Sequence, residues 1–506
     1  MHYIDPKGHT RRAFLRRSGA LAVAGSAAPF ALSLSAISDA AAQTATDYKA
    51  LVCVFLFGGC DYSNTVIPYD GASHAAYSTI RVPQASGGIA IARDALAATA
   101  LNPAVALPNQ RQFALHPQMA PLKALFDAGT AAVQLNVGPL VVPLSRALYS
   151  SGNRKLYPVP PKLFSHNDQQ SIWQSSSPEG STIGWGGNIG DLVMGGNGGK
   201  SLFTCISVSG NAVFLSGDNA LQYQVGTGGA VSIGSVNGTN AIYGSNTSTL
   251  RAAMAQLAQQ ARTHTLENEY NRVTRRAVDA YGDISGALSA AGTYSFDAGG
   301  TPGQFPATGL GRQLAMVARL IRGSQSNLGI RRQVFFVSMG GFDLHDNLIA
   351  NQGPLLAQLS DALGRFQQAM ADAGMAKNVT AFTASDFGRT LASNGDGTDH
   401  GWGNHHFIVG GAVKGNALYG YAPPVSINND SKAAGYEGHV GQGRLIPTTS
   451  VDQYGATLGK WFGLGDAQLR EILPNLKNFG GSLTATDAGG SNTYDYPTDV
   501  GFMQPA

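Results

Sequence analysis

The feature that most constrains the fold is an uninterrupted apolar run at residues 50–57, which is followed directly by Gly58 and Gly59. A strand with one face in water alternates apolar and polar residues, whereas this run contains no polar residue. Strands of this kind occupy the centre of parallel sheets whose two faces are covered by helices. The run therefore predicts a central strand, buried on both sides, in an α/β protein.

Further apolar runs of strand length recur along the chain, and helical patterns separate them. The predicted strands are 131–137, 334–337, 379–383 and 407–409, and the predicted helices are 116–128 and 353–373. This alternation is typical of a mostly parallel central sheet with helices on both faces. The predicted fold class is an α/β sandwich.

Three later regions have a different composition. Residues from about 195 to 248 are rich in Gly, Ser and Asn and contain short β-type runs such as 212–215. We predict an inserted β-rich lobe there, followed by one long helix over 249–281. The polar tail, 480–506, is predicted to be an exposed strap over the domain.

The N-terminus carries an export signal. Residues 10–16 fit the twin-arginine pattern, and an uncharged segment, 18–38, and three alanines at 40–42 follow. A transmembrane anchor is the alternative, but the segment is rich in Ala, Gly and Ser, which favours a cleaved leader. We predict a twin-arginine signal peptide at 1–42 and a mature domain at 43–506. The twin-arginine translocase would deliver it to the periplasm or beyond, with no stable membrane span after cleavage.

The predicted leader accounts for the net charge of the chain. The chain has 34 basic and 31 acidic residues, of which the leader holds five and two, so the mature domain is formally neutral. Nucleic-acid binding needs a basic surface, and this balance does not predict one.

The three cysteines, Cys53, Cys60 and Cys205, cannot all pair within one chain, and none belongs to a C-x-x-C motif. Cys53 lies in the apolar run and is predicted to be a buried small hydrophobe. Cys60, beside Asp61, is either a buried residue or a reactive thiol.

The last third of the chain concentrates carboxylates and imidazoles on turns that follow predicted strands. Because strand ends of an α/β sheet meet at one edge, these side chains predict a divalent-metal site. Asp343 and His345 face the same side of an extended turn, which suits one cation; a hydrogen-bonded pair is the alternative. Asp61, after the first strand, is either a ligand or a helix cap. The predicted metal ligands are Asp61, Asp343, His345, Asp386, Asp399, His405 and His406, with only one of the two adjacent histidines facing the metal.

Four residues are predicted to act on the substrate, namely Ser165, His166, Arg389 and His400. Ser165 opens a predicted helix, whose free N–H groups favour a nucleophilic oxygen, although a capping box with Asp168 is equally compatible. His166 is a ligand or an acid. Arg389 or His400 would orient an anionic substrate, and for Arg389 the alternative is a salt bridge to a carboxylate.

Several ordered segments resemble the domain-of-unknown-function family 1501. They are 58–64, 165–169, 341–345, 385–390 and 397–403, and the resemblance continues through 447–454 and 461–463. The family is twin-arginine exported and looks like a branch of the alkaline phosphatase and sulfatase superfamily. The resemblance implies that superfamily's α/β sandwich and a two-cation centre.

Carried over by position, the resemblance implies roles for single residues. Asp61 would be the first-strand ligand and Ser165 the nucleophile. Asp343 and His345 would hold one cation, with His405 or His406, and Asp386 would hold the other. In superfamily hydrolases the residue after the equivalent of Asp386 is usually His, whereas this chain has Phe387. The resemblance therefore leaves open whether the site binds one cation or two. The sulfatase motif C-x-P-x-R is absent, which disfavours a formylglycine sulfatase.

The sequence thus predicts an exported metal-dependent hydrolase or transferase that acts on a phosphate-type or related ester, in a small molecule or a polymer. Its cofactors would be one or two divalent ions, with zinc, manganese, magnesium and calcium all open. The alternative is a non-catalytic periplasmic binding or assembly protein that keeps the fold and a degenerate metal site. The sequence predicts no oligomeric state.

Overall fold

The computed structural model describes residues 47–238, 247–298, 301 and 303–505, so the predicted leader at 1–42 lies outside the described residues. In chain order, the strands are β1 Lys49–Leu56, β2 Val66–Pro68, β3 Phe113–Leu115, β4 Ala131–Gly138, β5 Cys205–Ser207, β6 Tyr223–Gly226, β7 Gly229–Ala230, β8 Phe296–Asp297, β9 Phe305–Pro306, β10 Arg332–Met339, β11 Val379–Ser385, β12 Asn404–Val409, β13 Ala417–Tyr419, β14 Thr449–Ser450, β15 Ser482–Asp487 and β16 Gly490–Asp495. The helices are α1 Gly71–Arg81, α2 Ala120–Asp127, α3 Arg146–Ser150, α4 His166–Ser175, α5 Trp185–Val193, α6 Ser248–Gln259, α7 Thr265–Ala291, α8 Gly309–Gly323, α9 Leu348–Asp372, α10 Val451–Phe462 and α11 Asp466–Ile472.

The central sheet is large and mostly parallel. Its strand order is β13-β4-β12-β11-β1-β10-β5-β6-β7, and β14 pairs with β4 outside this path. β1 lies between β10 and β11 and is parallel to both. β12 runs antiparallel to β11 and β4, so the sheet departs there from the parallel prediction.

The first strand has the double burial that its composition predicts. Ala50, Val52 and Val54 point into one core, which contains residues of α2, α7, α8 and α9. Leu51 and Phe55 point into a second core on the opposite face, which contains residues of α5, α10 and α11. Since successive strand residues face opposite sides, a strand covered on both faces needs an apolar residue at every position. The predicted α/β class, with helices on both faces of a mostly parallel sheet, is confirmed.

Two predicted elements differ in the structure. The run at 212–215 is not a strand, because Val213–Leu215 forms a 3₁₀ turn; the described strands of this region, β5 to β7, extend the edge of the central sheet. The predicted long helix is divided into α6 and α7. The second helix begins afresh at His264, whose side chain accepts a hydrogen bond from the backbone N–H of Leu266.

The tail is a largely exposed hairpin of β15 and β16, followed by the buried side chains of Tyr496 and Phe502, which hold it on the domain. Across the described part of the chain, no helix combines the length and the apolar character needed to cross a bilayer.

Candidate functional site

The site lies at the carboxyl ends of the three central strands. β1 ends before Gly58, β10 ends before Asp343 and β11 ends before Asp386, and these parallel strands are neighbours. The chains approach so closely that a Cβ on Gly58 would stand 2.4 Å from the backbone nitrogen of Asp343. Gly59, with φ +80°, would place its Cβ 2.4 Å from the ring of Phe387. Both positions of this turn therefore need glycine, and the two glycines allow the strand ends to meet.

Asp343 is the centre of a cluster of imidazoles. One oxygen, Oδ1, lies 3.1 Å from His345 Nε2 and 3.3 Å from His400 Nε2. The other, Oδ2, lies 3.4 Å from His166 Nε2. The Nε2 atoms of His345 and His400 are 3.0 Å apart. Ligand atoms of His166, Asp343 and His400 all lie within 4.8 Å of one another.

Each imidazole is oriented through its second nitrogen. His166 Nδ1 lies 2.6 Å from Asp386 Oδ2, and His400 Nδ1 lies 2.7 Å from the carbonyl oxygen of Phe164. His345 Nδ1 lies 3.4 Å from Asp399 Oδ1. For His166 and His400, an oxygen acceptor at Nδ1 favours the tautomer that carries its proton on Nδ1, and the lone pair of the neutral ring is then at Nε2. This arrangement is the usual outer support of metal-binding histidines.

The donor set fits a metal ion. A tetrahedral site with bonds of about 2.0–2.1 Å has edges of about 3.3–3.4 Å, and the Nε2 atoms of His166 and His400 lie 3.4 Å and 3.3 Å from an oxygen of Asp343. The group whose ligand atoms all lie within 4.8 Å of one another is His166, Asp343 and His400, and His345 lies next to it. The Nε2 atom of His166 is buried and has no hydrogen-bond partner among the described residues. Three imidazole nitrogens with one carboxylate suit a first-row transition metal better than magnesium or calcium, which prefer oxygen ligands.

The charges around the cluster favour an ionised Asp343. Burial alone would raise the pKa of Asp343, but the hydrogen bond and the positive charge of Arg389 outweigh it and lower that pKa below its usual value. The hydrogen bond to Asp386 raises the pKa of His166, against the effect of burial. Burial lowers the pKa of His400, which keeps this imidazole neutral and able to donate its lone pair.

Asp386 and Asp399 support the histidines, whereas the sequence predicts both as ligands. Asp386 is fully buried, and its Oδ2 accepts hydrogen bonds from His166, Gln170 Nε2 at 2.9 Å and Gly58 N at 3.2 Å. Its Oδ1 is buried and has no partner among the described residues. His166 and His400, predicted to act on the substrate, instead contribute metal-type nitrogens to the cluster.

Asp61 lies outside the cluster, in contrast to its predicted ligand role. Its two oxygens accept hydrogen bonds from Arg81, at 3.0 Å and 2.7 Å, and both side chains are buried. Asp61 Oδ1 also caps the turn at Asn64 N, at 2.7 Å. The buried guanidinium neutralises this carboxylate and occupies its lone pairs.

Arg389 also has a structural role in place of its predicted contact with substrate. Its fully buried guanidinium donates to Asp343 Oδ1 at 2.9 Å, to the Gly58 carbonyl at 3.0 Å and to Thr398. Arg389 therefore holds the Asp343 carboxylate in place. The contact is the salt bridge to a carboxylate that the sequence analysis gives as the alternative.

His405 and His406 belong to the protein interior, although the sequence predicts one of them as a ligand. They face opposite sides of β12: His405 packs against Tyr62 and Phe113, and His406 against Trp173. Burial lowers the pKa of each to about 3. Both are therefore neutral core residues at pH 7.

These two histidines should make the fold sensitive to acid. The pKa of about 3 in the folded protein lies below the usual 6.5, so the unfolded chain binds more protons between these pH values. The free energy of unfolding should fall with decreasing pH below about 6.5, by up to about 1.4 kcal/mol per pH unit for each histidine. Urea unfolding in the presence of a chelator, between pH 7 and pH 4.5, measures this slope. His406→Asn should flatten the slope, whereas the exposed control His264→Asn should keep it; equal slopes in all three proteins would contradict the account.

Ser165 is the N-cap residue of α4 and lies between two residues that contact the cluster, Phe164 and His166. Its hydroxyl donates to Asp168 Oδ2 at 2.9 Å and makes no capping bond to the backbone. The hydroxyl of the predicted nucleophile therefore has a carboxylate acceptor on the same helix.

Cys60 is buried, and burial raises its pKa to about 12, so it is not a reactive thiol. Cys53 is a buried small hydrophobe, as predicted.

The sequence analysis did not identify several partners that shape the site. These partners are Arg81, which binds Asp61, Gln170, which binds Asp386, and the backbone carbonyl of Phe164, which binds His400. Each is distant in sequence from the group that it contacts, and the last acts through the backbone, so its residue type gives no signal. One local signal does exist, because Gln170 follows His166 by four residues and thus shares its helix face. The structure places Phe164 at φ +76°, a strained conformation for a residue with a side chain.

The fold and the cluster together define a mixed α/β protein with a His/Asp metal-type site at the carboxyl edge of its central sheet. Residues 48–473, most of the chain, match the family described as "protein of unknown function (DUF1501)". The chain belongs to this family, and the resemblance seen in the sequence is confirmed. A comparison with curated protein sequences finds no match.

Solved structures with some likeness include the lipoteichoic acid synthase LtaP of Listeria monocytogenes, at 10% identity and TM-score 0.27, covering 76% of this chain and 69% of LtaP. A protein from the Bacteroides thetaiotaomicron locus that orchestrates metabolism of multiple glycosaminoglycans is 12% identical, with TM-score 0.33 and coverages of 84% and 75%. A substituted variant of the alkaline phosphatase PafA is 13% identical, with TM-score 0.23 and coverages of 68% and 64%. Likeness at these TM-scores carries no argument about chemistry.

Proposed function

We propose that this protein is a metal-dependent hydrolase or transferase that acts on a phosphate-type or related ester. The observation that carries the proposal is the convergence of three Nε2 atoms, from His166, His345 and His400, on the Asp343 carboxylate beside Ser165. A bound divalent transition metal would polarise an ester oxygen and stabilise the charge that develops on it. Because the ligand atoms of His166, Asp343 and His400 form one group within 4.8 Å, we propose a single metal ion.

The residues of the chain have separate tasks in this proposal. Ser165 Oγ attacks the phosphorus and passes its proton to Asp168, whose carboxylate already accepts the hydroxyl hydrogen bond. The ester bond to the leaving oxygen breaks, and this oxygen takes the proton from Asp168 and leaves as the alcohol. A water or a second alcohol then gives its proton to Asp168 and displaces Ser165 Oγ from the phosphoryl group, and Asp168 returns the proton to Ser165. The N–H groups at the start of α4 stabilise negative charge next to Ser165. Arg389 and Asp386 remain fixed and hold Asp343 and His166 in place.

We further propose that residues 1–42 are a twin-arginine signal, so that the protein folds in the cytoplasm, takes up its metal there and acts in the periplasm or outside the cell. The motif at 10–16 supports this route. The substrate would then be an ester, small or polymeric, that is accessible in that compartment.

The proposal is tested on protein purified without chelators. We expect about one equivalent of a transition metal and hydrolysis of at least one ester in a screen of phosphate monoesters, diesters and sulfate esters. Ser165→Ala should retain the metal and lose about 100-fold or more of the activity. The matched control is Ser175→Ala on the same helix, whose hydroxyl bonds only to the carbonyls of Ser171 and Ser177 and the N–H of Ser177; it should keep both.

Two results would count against catalysis. Metal-loaded protein without activity on any ester would favour the non-catalytic binding or assembly protein. Activity that persists in Ser165→Ala would remove the serine from the mechanism.

A further inference from the structure

The position of Arg389 leaves the substrate without its predicted cationic partner. Its guanidinium is fully buried and its nitrogens donate to Asp343, Thr398 and the Gly58 carbonyl. An anionic ester that approaches the cluster also meets the negative charge of Asp343. A cationic side chain at the rim, exposed enough to contact the substrate, would offset this repulsion and orient the anion.

Arg444 lies at the rim of the cluster. Its Nε donates to the carbonyl oxygen of His400 at 2.7 Å, and its guanidinium carbon lies 5.2 Å from the centre of the Phe164 ring. The carbonyl of Phe164 in turn accepts the hydrogen bond from His400 Nδ1, and Ser165 follows directly. The guanidinium thus contacts His400, a histidine of the cluster, and Phe164, whose carbonyl orients His400 and which precedes the proposed nucleophile.

The guanidinium of Arg444 is held in place but not saturated. It is half-buried, and among the described residues its two terminal amino groups have no hydrogen-bond acceptor. The turn that carries it is fixed, because Arg444 N donates to the Gly441 carbonyl and Val440 N to the Arg444 carbonyl, both at 2.9 Å. Stacking on an aromatic ring and one hydrogen bond orient the planar group, which leaves a pair of parallel N–H donors, the geometry that binds phosphate or sulfate oxygens.

We propose that Arg444 is the anion-binding residue of the site, that it receives two oxygens of a phosphate-type group next to the metal cluster, and that the Phe164 ring is its platform. This inference rests on the proposed function. It identifies the substrate as an ester that keeps a negative charge on the reacting group, and it excludes neutral carboxylic esters.

The test measures binding of inorganic phosphate to zinc-loaded protein by calorimetry, with zinc affinity determined separately. We expect Arg444→Gln to weaken phosphate binding by about 10- to 100-fold, because one charge-assisted, two-point contact is lost. Zinc affinity should change by less than about threefold, because Gln can still donate to the His400 carbonyl. Arg444→Lys should restore only part of the phosphate affinity, since it keeps the charge but loses the fork.

Arg93→Gln is the matched control. Arg93 Nε also donates to a backbone carbonyl, that of Tyr69 at 2.8 Å, and its guanidinium lies 4.8 Å from the Tyr69 ring. This variant should bind phosphate and zinc as the wild type does. Equal phosphate binding by Arg444→Gln and wild type, or no phosphate binding by the zinc-loaded wild type, overturns the inference and leaves the metal site standing. Failure of the wild type to take up zinc overturns the proposed function together with the inference.

Discussion

Replacing Asp343 with asparagine is expected to lower zinc affinity more than about 100-fold. The carboxylate has three Nε2 atoms around it, and the amide removes the negative charge that offsets a divalent cation. Asparagine is preferable to alanine because its oxygen can still accept the hydrogen bond from the buried Arg389 Nη1. Competition with a chromogenic chelator at constant pH measures the affinity, and a thermal melt checks the fold.

Two further variants give this experiment a graded scale. Asp386→Asn should lower zinc affinity by about 10- to 100-fold, because it supports His166 from outside the ligand set. Asp346→Asn, at an exposed carboxylate three residues after Asp343, should leave the affinity unchanged. Asp343 would lose its central role if its asparagine variant bound zinc as tightly as Asp346→Asn.

Replacing Arg81 with methionine is expected to lower the free energy of unfolding by about 3–5 kcal/mol. The substitution leaves the Asp61 carboxylate buried without a counter-charge, and that loss exceeds the value of the hydrogen bonds alone. The Asn64, Thr390 and Leu391 oxygens that accept from Arg81 also lose their donor. Urea unfolding of the metal-free protein at pH 7 measures the change.

The double variant Asp61→Asn/Arg81→Met separates charge from packing. It removes both ions and should be less destabilised than the sum of the single variants. The exposed pair of Arg272 and Glu269 is the control, and Arg272→Met should change stability by less than about 1 kcal/mol. If Arg81→Met had wild-type stability but bound little metal, the structural role of the Asp61–Arg81 pair would be contradicted, and Asp61 would again be a candidate metal ligand.

The parts of the fold that follow from local pattern are predictable from the sequence. β1 is found within one residue of its predicted bounds, because a strand that is buried on both faces has an apolar residue at nearly every position. β4 also agrees within one residue, and β11 extends two residues beyond its predicted end. The helix α9 is found as well, but it begins more than a turn before its predicted start. The break between α6 and α7 is missed because the cap at His264 and the hydrogen bond from Arg262 N to Asn268 Oδ1 are weak signals within a helical composition.

The candidate site is predictable only as a neighbourhood. The turns after β1, β10 and β11 are correctly brought together, because parallel strands of one sheet place their carboxyl ends at one edge. Asp343 and His345 both lie in the cluster. The pattern of His405 and His406 does not indicate that both rings are covered, since the covering side chains, Tyr62 on one face of β12 and Trp173 on the other, are distant in sequence.

The sequence by itself determined the sheet, its buried central strand and the edge where polar side chains gather, since these depend on residue type and period along the chain. The tertiary structure alone decided which carboxylate faces the imidazole cluster and which is paired with a buried arginine. Arg81 forms an ion pair with Asp61, 20 residues away in sequence, and Asp386 orients His166, 220 residues away. A carboxylate has the same chemistry in both roles, so its role is fixed by the charge that folding places beside it.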